Sequence, residues 1–176
     1  MYIAALDIGG TKTIIAIADE KGTIYCKKKI PTSTANIYTH LDHCALILQN
    51  QLEQLNISEN DLWGIGVTLP GIVNSEKGIL VYAPFEKWEN VAVSDYLNSI
   101  FPSRSIFCEN DVNACAIAEL VFGIGRKYEN YVWITVSTGV GGAVVNEDYA
   151  REIGADGYSK DAYGAVNLAK ELAKTV

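Results

Sequence analysis

The chain lacks any long hydrophobic run, and this absence restricts the classes of protein to which it can belong. No apolar stretch approaches the roughly 20 residues that a transmembrane helix needs. Asp7 interrupts the apolar opening and no charged segment precedes it, so no signal peptide is predicted. The four cysteines are scattered without a C-x-x-C pair, which favours free thiols. We therefore expect a cytoplasmic protein with no membrane partner.

Positive charge and histidine are also scarce. The formal charge is −7 and the sequence pI is near 4.8, and no basic stripe is present, which argues against nucleic acid as the main partner. The two histidines, His40 and His43, lie in the first predicted helix beside Cys44. Histidines on a helix are usually surface residues, and this set is incomplete for zinc, so we predict no metal site there.

Hydrophobic patterning predicts an α/β chain whose 176 residues fit one large domain or two small lobes. Strands are predicted over residues 2–6, 14–18, 24–30, 62–67, 78–81, 105–108, 131–136 and 142–145. Helices are predicted over residues 37–55, 91–100 and 111–122. The first helix carries a single apolar stripe, which indicates that one of its faces packs on a sheet.

The first candidate site follows the opening strand, where the sequence reads D-I-G-G-T-K. Gly9 and Gly10 allow a sharp turn with no Cβ in the way, and backbone N–H groups can then face an anion. Thr11 adds a hydroxyl, Lys12 a positive charge, and Asp7 a carboxylate suited to a divalent metal or its water. Together they predict a site for a metal-bound phosphate. An ordinary β-hairpin turn explains the same residues and remains the alternative.

A second glycine-rich segment, T-G-V-G-G, lies between the last two predicted strands. Thr138, Gly139, Gly141 and Gly142 could let backbone amides approach an anion as closely as in the first segment. A hairpin turn is again the alternative. The presence of two such segments in one chain favours a site in which both bind the same polyphosphate.

The third motif, E-N-D, follows the predicted strand 105–108 and opens a helix. Asn110 can donate and accept hydrogen bonds, which suits a sugar hydroxyl. Asp111 can take a proton from an attacking hydroxyl within hydrogen-bond reach. Helix capping explains the same two residues and remains open.

The fourth motif, G-I-G-V-T-L-P-G, is a buried strand that ends in Pro70 and Gly71. Pro-Gly forces a turn, and this is the simplest role of the pair. In a functional role, the turn would shape one wall of a small-molecule cleft.

Taken in order, the four motifs resemble the ROK family of sugar kinases and sugar-responsive repressors, in the actin/hexokinase/heat-shock protein superfamily. The resemblance covers residues 1–145 approximately, and it implies a ribonuclease-H-like, actin-like ATPase lobe: a mixed sheet flanked by helices. It further implies Asp111 as general base, Asn110 and Gly71 as sugar contacts, and ATP with magnesium between the two glycine segments. Asp7 would hold the magnesium.

The chain departs from the family pattern after the second glycine segment, where only about 30 residues remain for a second lobe. Glu152 matches the glutamate of the family's Gly-Glu-Ile-Gly-His sugar motif, but Ala155 replaces the histidine. No zinc knuckle is present, and Phe85 replaces a usual asparagine. We expect a first lobe over residues 1–122, the start of a truncated second lobe over 123–148, and a tail over 149–176.

The tail resembles the last strand and helix of corrinoid-binding domains. Because the Asp-x-His-x-x-Gly motif of those domains is absent, we predict no bound corrinoid. Residues 161–174 have the apolar stripe of an amphipathic helix, which we expect to fold back on the first lobe.

The resemblance implies a ROK-type sugar kinase, or a shortened relative, that transfers a phosphoryl group from ATP to a hexose-like hydroxyl. A non-catalytic sugar- or phosphate-binding module, or a regulatory partner of a corrinoid system, is the alternative. We rank a repressor lower, because a repressor needs a DNA-binding segment before the first strand and that strand is predicted to begin at residue 2. Self-association into a homo-oligomer is expected, because a shortened second lobe would leave apolar surface exposed.

Overall fold

The fold is described from a computed structural model of the chain over residues 1–33, 35–84, 86–123, 133–136 and 140–142. The chain forms two compact units, Met1–Asp111 and Val112–Val176. Each unit is described by itself. The domain boundaries expected from the sequence stay a prediction.

The first unit contains eight strands and two helices in its described part. In chain order they are β1 (Tyr2–Ile8), β2 (Lys12–Asp19), β3 (Ile24–Pro31), α1 (Ile37–Gln54), β4 (Leu62–Leu69), β5 (Ile72–Asn74), β6 (Ile79–Ala83), β7 (Trp88–Ala92), α2 (Val93–Ile100) and β8 (Ser105–Asn110). A short 3-10 helix, Glu59–Asp61, precedes β4.

The main sheet is mixed, with strand order β3-β2-β1-β4-β8. The pairs β1–β2 and β2–β3 are antiparallel, whereas β4 runs parallel to both β1 and β8. A parallel neighbour needs a crossover connection, and α1 and α2 lie in the two connections concerned. The mixed α/β sheet predicted from the sequence is therefore confirmed.

Alternation along the strands puts the core on one face of this sheet. In β1, Ala4, Leu6 and Ile8 are buried, whereas Ala5 and Asp7 are exposed. The buried side chains join the stripe of α1 in a single apolar cluster. Helix α1 begins where the Asn36 side chain accepts the N–H groups of Tyr38 and Thr39. The predicted helix is confirmed to within one residue.

A second, three-stranded antiparallel sheet has the order β5-β6-β7. Two of its strands were missed from the sequence. Strand β5 has only three residues, too few to show a period. The last two residues of strand β7, Val91 and Ala92, were included in the helix predicted over 91–100. The buried residues of β7, Trp88 and Val91, are three positions apart and so do not follow the alternation of a regular strand. Asn90 has a φ of 51°, which interrupts the alternation and lets both side chains face the core.

In the second unit, the described elements are helix α3 (Asp111–Phe122), which starts at the last residue of the first unit, and strands β9 (Ile134–Val136) and β10 (Val140–Gly142). The two strands pair antiparallel as a hairpin. Gly141 and Gly142 therefore lie in strand β10. The strand predicted over 142–145 already began at Gly142, whereas Gly141 was expected in the glycine turn before it. No helix in the described part of the chain is long and apolar enough to cross a membrane.

Leu48→Ala should destabilise the first unit by about 2–5 kcal/mol, because Leu48 is fully buried in the stripe of α1 and its truncation leaves a cavity. Leu46→Ala is the matched control: the same change on the same helix, at a side chain that is 56% exposed, should shift the free energy of unfolding by less than about 0.5 kcal/mol. Urea denaturation measures both. Equal effects would contradict the assigned helix face.

Candidate functional site

The candidate site is built on the edge of the main sheet where β1, β4 and β8 end. All three strands run in the same direction, so their carboxyl ends lie side by side. Asp7 is in register with Thr68, and Thr68 with Glu109. Residues in register across parallel strands lie on one face, and the Thr68 hydroxyl donates to Asp7 Oδ1 at 2.7 Å. Ligands of open α/β sheets bind at this edge.

Asn110 connects the end of β8 to the turn after β4. Its Nδ2 donates to the carbonyl oxygen of Gly71 at 2.8 Å. Its backbone N–H bonds to Glu109 Oε1 at 2.8 Å, and the other oxygen of Glu109 accepts from Ser75 at 2.9 Å. The structure thus brings together Asn110 and Gly71, two of the three residues predicted to contact the sugar. One amide hydrogen of Asn110 holds the turn in place.

The turn at Pro70 and Gly71 is confirmed, with a reason that the sequence could not supply. Gly71 has a φ of +94°, which is typical of the third residue of a type II turn with proline before it. A Cβ at Gly71 would lie 2.2 Å from the carbonyl oxygen of Tyr82. Glycine is therefore needed both for the backbone angle and for the close approach of strand β6.

Asp111 begins helix α3 directly after Asn110, at the same edge of the sheet. Its side chain is half-buried. The position suits both readings made from the sequence: an acidic residue in the first turn complements the helix dipole, and a carboxylate at this edge can reach a bound hydroxyl.

The first glycine segment forms the tight connection between β1 and β2. The N–H of Gly9 donates to the carbonyl oxygen of Lys12 at 3.0 Å, and Ile8 pairs with Thr13. The β-hairpin turn that the sequence offered as the alternative is therefore present. It does not decide whether the same backbone binds an anion, so that role stays a prediction. Thr11, Lys12 and Lys29 line a surface cavity of about 330 Å³, which places two positive charges beside the loop.

Glu86 is a neighbour of this loop that sequence reasoning missed. A Cβ on Gly10 would lie 2.5 Å from Glu86 Oε1, so the absence of a side chain at position 10 makes room for this carboxylate. Glu86 is only 5% exposed, and its Oε2 is buried without a hydrogen-bond partner among the described residues. The signal in the sequence was a glutamate that directly follows the apolar residues A-P-F in the segment A-P-F-E-K-W. The preceding Phe85 lies outside the described residues.

The donor set fits magnesium only as part of a nucleotide complex. Within the described ranges, no three His, Cys, Asp or Glu side chains are close enough together to hold a metal ion. Magnesium in phosphate-binding sites is usually held by one or two carboxylates together with phosphate oxygens and water. Asp7 can supply one such carboxylate, since only its Oδ1 accepts the Thr68 hydroxyl.

Some predicted site residues cannot be placed. Thr138, Gly139 and Glu152 lie outside the described residues, as does the tail whose helix was expected to cover the first lobe. Gly141 and Gly142 belong to the second unit. The pairing of the two glycine segments around one nucleotide therefore stays a prediction.

Most of this chain is similar in sequence or structure to known proteins. A glucokinase from Thermotoga maritima is 34% identical over 150 residues, which are 85% of this chain and 46% of that protein. A xylose repressor from Bacillus subtilis is 27% identical over 165 residues, or 90% of this chain and 40% of that protein. A solved ROK family glucokinase from Streptomyces griseus, in complex with glucose and AMPPNP, superimposes with a TM-score of 0.65 at 26% identity, over 81% of this chain and 43% of that one.

The chain thus spans less than half the length of these curated relatives. Its fold is the actin-like ATPase fold, with a ribonuclease-H-like lobe whose mixed sheet carries α1 and α2. The relatives that match this chain in sequence include both a glucokinase and a xylose repressor. The sequence profile of the ROK family matches residues 3–162, and the chain belongs to this family.

Proposed function

We propose that the chain acts in ATP-dependent phosphoryl transfer to a hexose-like hydroxyl, as a ROK-type sugar kinase or a shortened relative of one. One observation carries the proposal: three of the predicted site residues lie at the same edge of the main sheet. Asp111 directly follows Asn110, whose side chain bonds to the turn at Gly71. Asp7 lies two strands away, in register with Glu109 through β4. The proposed base, the proposed sugar contact and the proposed metal ligand thus share one edge of the sheet.

In this proposal Asp111 orients the acceptor hydroxyl and takes its proton. The hydroxyl oxygen bonds to the γ-phosphorus as the bond from that phosphorus to the bridging oxygen breaks, and ADP leaves with the electron pair. Asn110 and Gly71 hold the sugar. The backbone of Gly9 and Gly10, the Thr11 hydroxyl and the Lys12 ammonium hold the phosphates.

ATP with magnesium supplies the phosphoryl group and neutralises part of its charge when bound, and Asp7 would hold the ion. The complex of the Streptomyces griseus glucokinase with glucose and AMPPNP supports this choice of substrates. Thr138, Gly139, Gly141 and Gly142 are proposed to contact the phosphates from the second unit, and Glu152 the sugar. A reducing, cytoplasmic setting belongs to the same proposal and is supported by the four cysteines, none of which forms a disulfide.

A non-catalytic sugar-binding module is the second candidate. The match to a xylose repressor over 90% of the chain favours it, because the same lobe is present in a protein named for regulation. The likeness of the tail to corrinoid-binding domains would connect such a module to a corrinoid system. Calorimetric titration separates the candidates: binding of both ATP–magnesium and a hexose, with ADP release, supports the kinase, whereas sugar binding alone supports the module.

Asp111→Asn should lower turnover by roughly 100-fold to 10,000-fold, because it removes the proposed general base, while sugar affinity stays nearly unchanged. A coupled assay of ADP release and calorimetry with a hexose panel measure the two effects. Asp95→Asn is the matched control, since Asp95 is also an acidic residue in the first turn of a helix but is exposed on α2. Unchanged turnover in the Asp111 variant would refute the assignment.

Glu86→Gln should tighten the binding of ATP–magnesium by up to about fivefold, because it removes an acidic group beside the loop that is proposed to hold the phosphates. Two like charges at about 4 Å repel by about 1 kcal/mol even in water. The free energy of unfolding should also rise by about 1 kcal/mol, since a buried carboxylate without a partner is replaced by a neutral group. Glu89→Gln makes the same charge change at an exposed position of β7. Equal effects of both variants on ATP affinity would mean that only net charge matters.

Self-association is expected at raised protein concentration. On neighbouring strands, Trp63 and Phe107 stack with ring centroids 5.6 Å apart, and both remain more than half exposed. Such apolar surface favours an interface. Light scattering across a concentration series should show a mass above that of the monomer. A constant monomeric mass would contradict the expectation.

A further inference from the structure

His40 is a buried polar residue that the proposed function does not use. It lies in the apolar stripe of α1 and is 1% exposed, so its prediction as a surface residue was wrong, whereas His43 is exposed as expected. Burying an imidazole is unfavourable unless its nitrogens have hydrogen-bond partners. Both nitrogens of His40 have them, and the partners lead toward the first glycine loop.

A chain of three short hydrogen bonds runs from His40 to Gly9. His40 Nε2 lies 2.7 Å from Thr13 Oγ1, and Thr13 Oγ1 lies 2.8 Å from Thr32 Oγ1. The Thr32 hydroxyl donates to the carbonyl oxygen of Gly9 at 2.7 Å. The chain therefore links the first long helix to the loop through side chains of β2 and of the segment after β3.

The direction of every bond in this chain is determined, because the carbonyl oxygen of Gly9 can only accept. Thr32 uses its one proton on Gly9, so Thr13 must donate to Thr32. Thr13 has then used its own proton, so His40 must donate from Nε2. On the other side of the ring, Nδ1 faces the N–H of Ser33 at 3.4 Å and therefore accepts. These partners select the neutral imidazole with its proton on Nε2.

The surroundings favour the same protonation state. Burial, and to a lesser extent the nearby His43, lower the pKa of His40 below its ordinary value of 6.5. The remaining close polar neighbour is the Cys44 thiol, with its sulfur 3.7 Å from Nε2. Burial raises the pKa of Cys44 to about 12, so no thiolate is present to draw the proton.

The same segment holds the loop at a second point. The N–H of Thr32 donates to the carbonyl oxygen of Thr11 at 3.2 Å. Gly9 and Thr11 are thus both held through Thr32, one by its side chain and one by its backbone. Orienting these two carbonyl groups also orients the peptide planes between them, whose N–H groups would face an anion.

We infer that His40 is a positioning residue for the loop of residues 9–12, setting the orientation of the Gly9 carbonyl through Thr13 and Thr32. That this loop binds phosphate rests on the proposed function. The hydrogen-bond relay itself does not, so the two can be tested separately.

The first test uses amide hydrogen exchange in the full chain, read by NMR at the N–H groups of Gly9 and Thr32. His40→Leu keeps much of the side-chain volume but removes the donor, and should raise local exchange at both amides by about tenfold. His40→Gln can place an amide N–H near Nε2 and should restore most of the protection. His43→Gln, on the exposed side of the same helix, should change nothing.

General destabilisation is separated from loss of the relay by two further variants. Leu48→Ala weakens the same helix without touching the relay, so at matched global stability it should leave exchange at Gly9 and Thr32 unchanged. Thr13→Val removes only the middle hydroxyl of the relay and should raise exchange at Gly9 and Thr32 as much as His40→Leu does. The double variant, His40→Leu with Thr13→Val, should then exchange little faster than either single variant. Two results would overturn the inference. One is that the effects of His40→Leu and Thr13→Val on exchange add in the double variant. The other is that exchange in His40→Leu is no faster than in the Leu48→Ala control.

The second test measures the affinity for ATP–magnesium by calorimetry. His40→Leu should weaken binding about tenfold, and His40→Gln should recover most of it. If the unaltered chain binds no nucleotide, the proposed function fails while the exchange experiment still decides the relay. If nucleotide binds equally well to both His40 variants despite altered exchange, the part of the inference that concerns the phosphate site is refuted.

Discussion

The arrangement of the whole site depends on the parallel pairing of β4 with β1 on one side and with β8 on the other. This pairing makes three strands end at one edge, and its register decides which side chains meet there. Asp7, Thr68 and Glu109 share a row because each strand is aligned with the next without a slip at that end. A shift of one residue in β4 would turn Thr68 to the opposite face and separate it from Asp7.

Two glycines then allow the connections at this edge to pack closely, each for a different reason. Gly71 needs its positive φ and its missing Cβ, since Tyr82 approaches it through a backbone oxygen that cannot move away. Gly10 needs only space, because what approaches it is the end of the Glu86 side chain. The first is a constraint of the fold. The second depends on one neighbouring residue, and a flexible side chain could give way there.

Much of the fold could be predicted from the sequence, because strong local signals coincide with it. The stripe of α1, the turn at Gly71 and the opening strands were all visible as period or turn chemistry. The elements that were missed carry weak or misleading local signals: β5 is too short to show a period, and Asn90 interrupts the alternation of β7. The second glycine segment was ambiguous for a related reason, since T-G-V-G-G suits a loop and a hairpin equally well.

The site was harder to predict, because its specific features are contacts between residues distant in sequence. Asn110 was recognised as polar and well placed, but its bond to Gly71 joins residues 39 positions apart. The same holds for Glu86 against Gly10. His40 was misassigned to the surface because a histidine within an apolar stripe can be buried only when partners for both nitrogens exist, and those partners come from other elements. A single sequence shows which residue types are present but not whether such partners meet.

The buried relay from His40 has a consistent place in phosphoryl transfer, a reaction in which catalysis is almost entirely positioning and charge stabilisation. An apolar residue at position 40 would pack into the stripe of α1 with less desolvation, so the histidine is not explained by the core alone. What it adds is a fixed direction of hydrogen bonding that ends on a carbonyl of the loop. A loop rich in glycine has many accessible conformations, and external bonds that select one of them are the natural counterpart of that freedom. The conformational freedom that lets backbone amides approach a phosphate therefore also creates the need for a rigid partner, and α1 supplies it through Thr13 and Thr32.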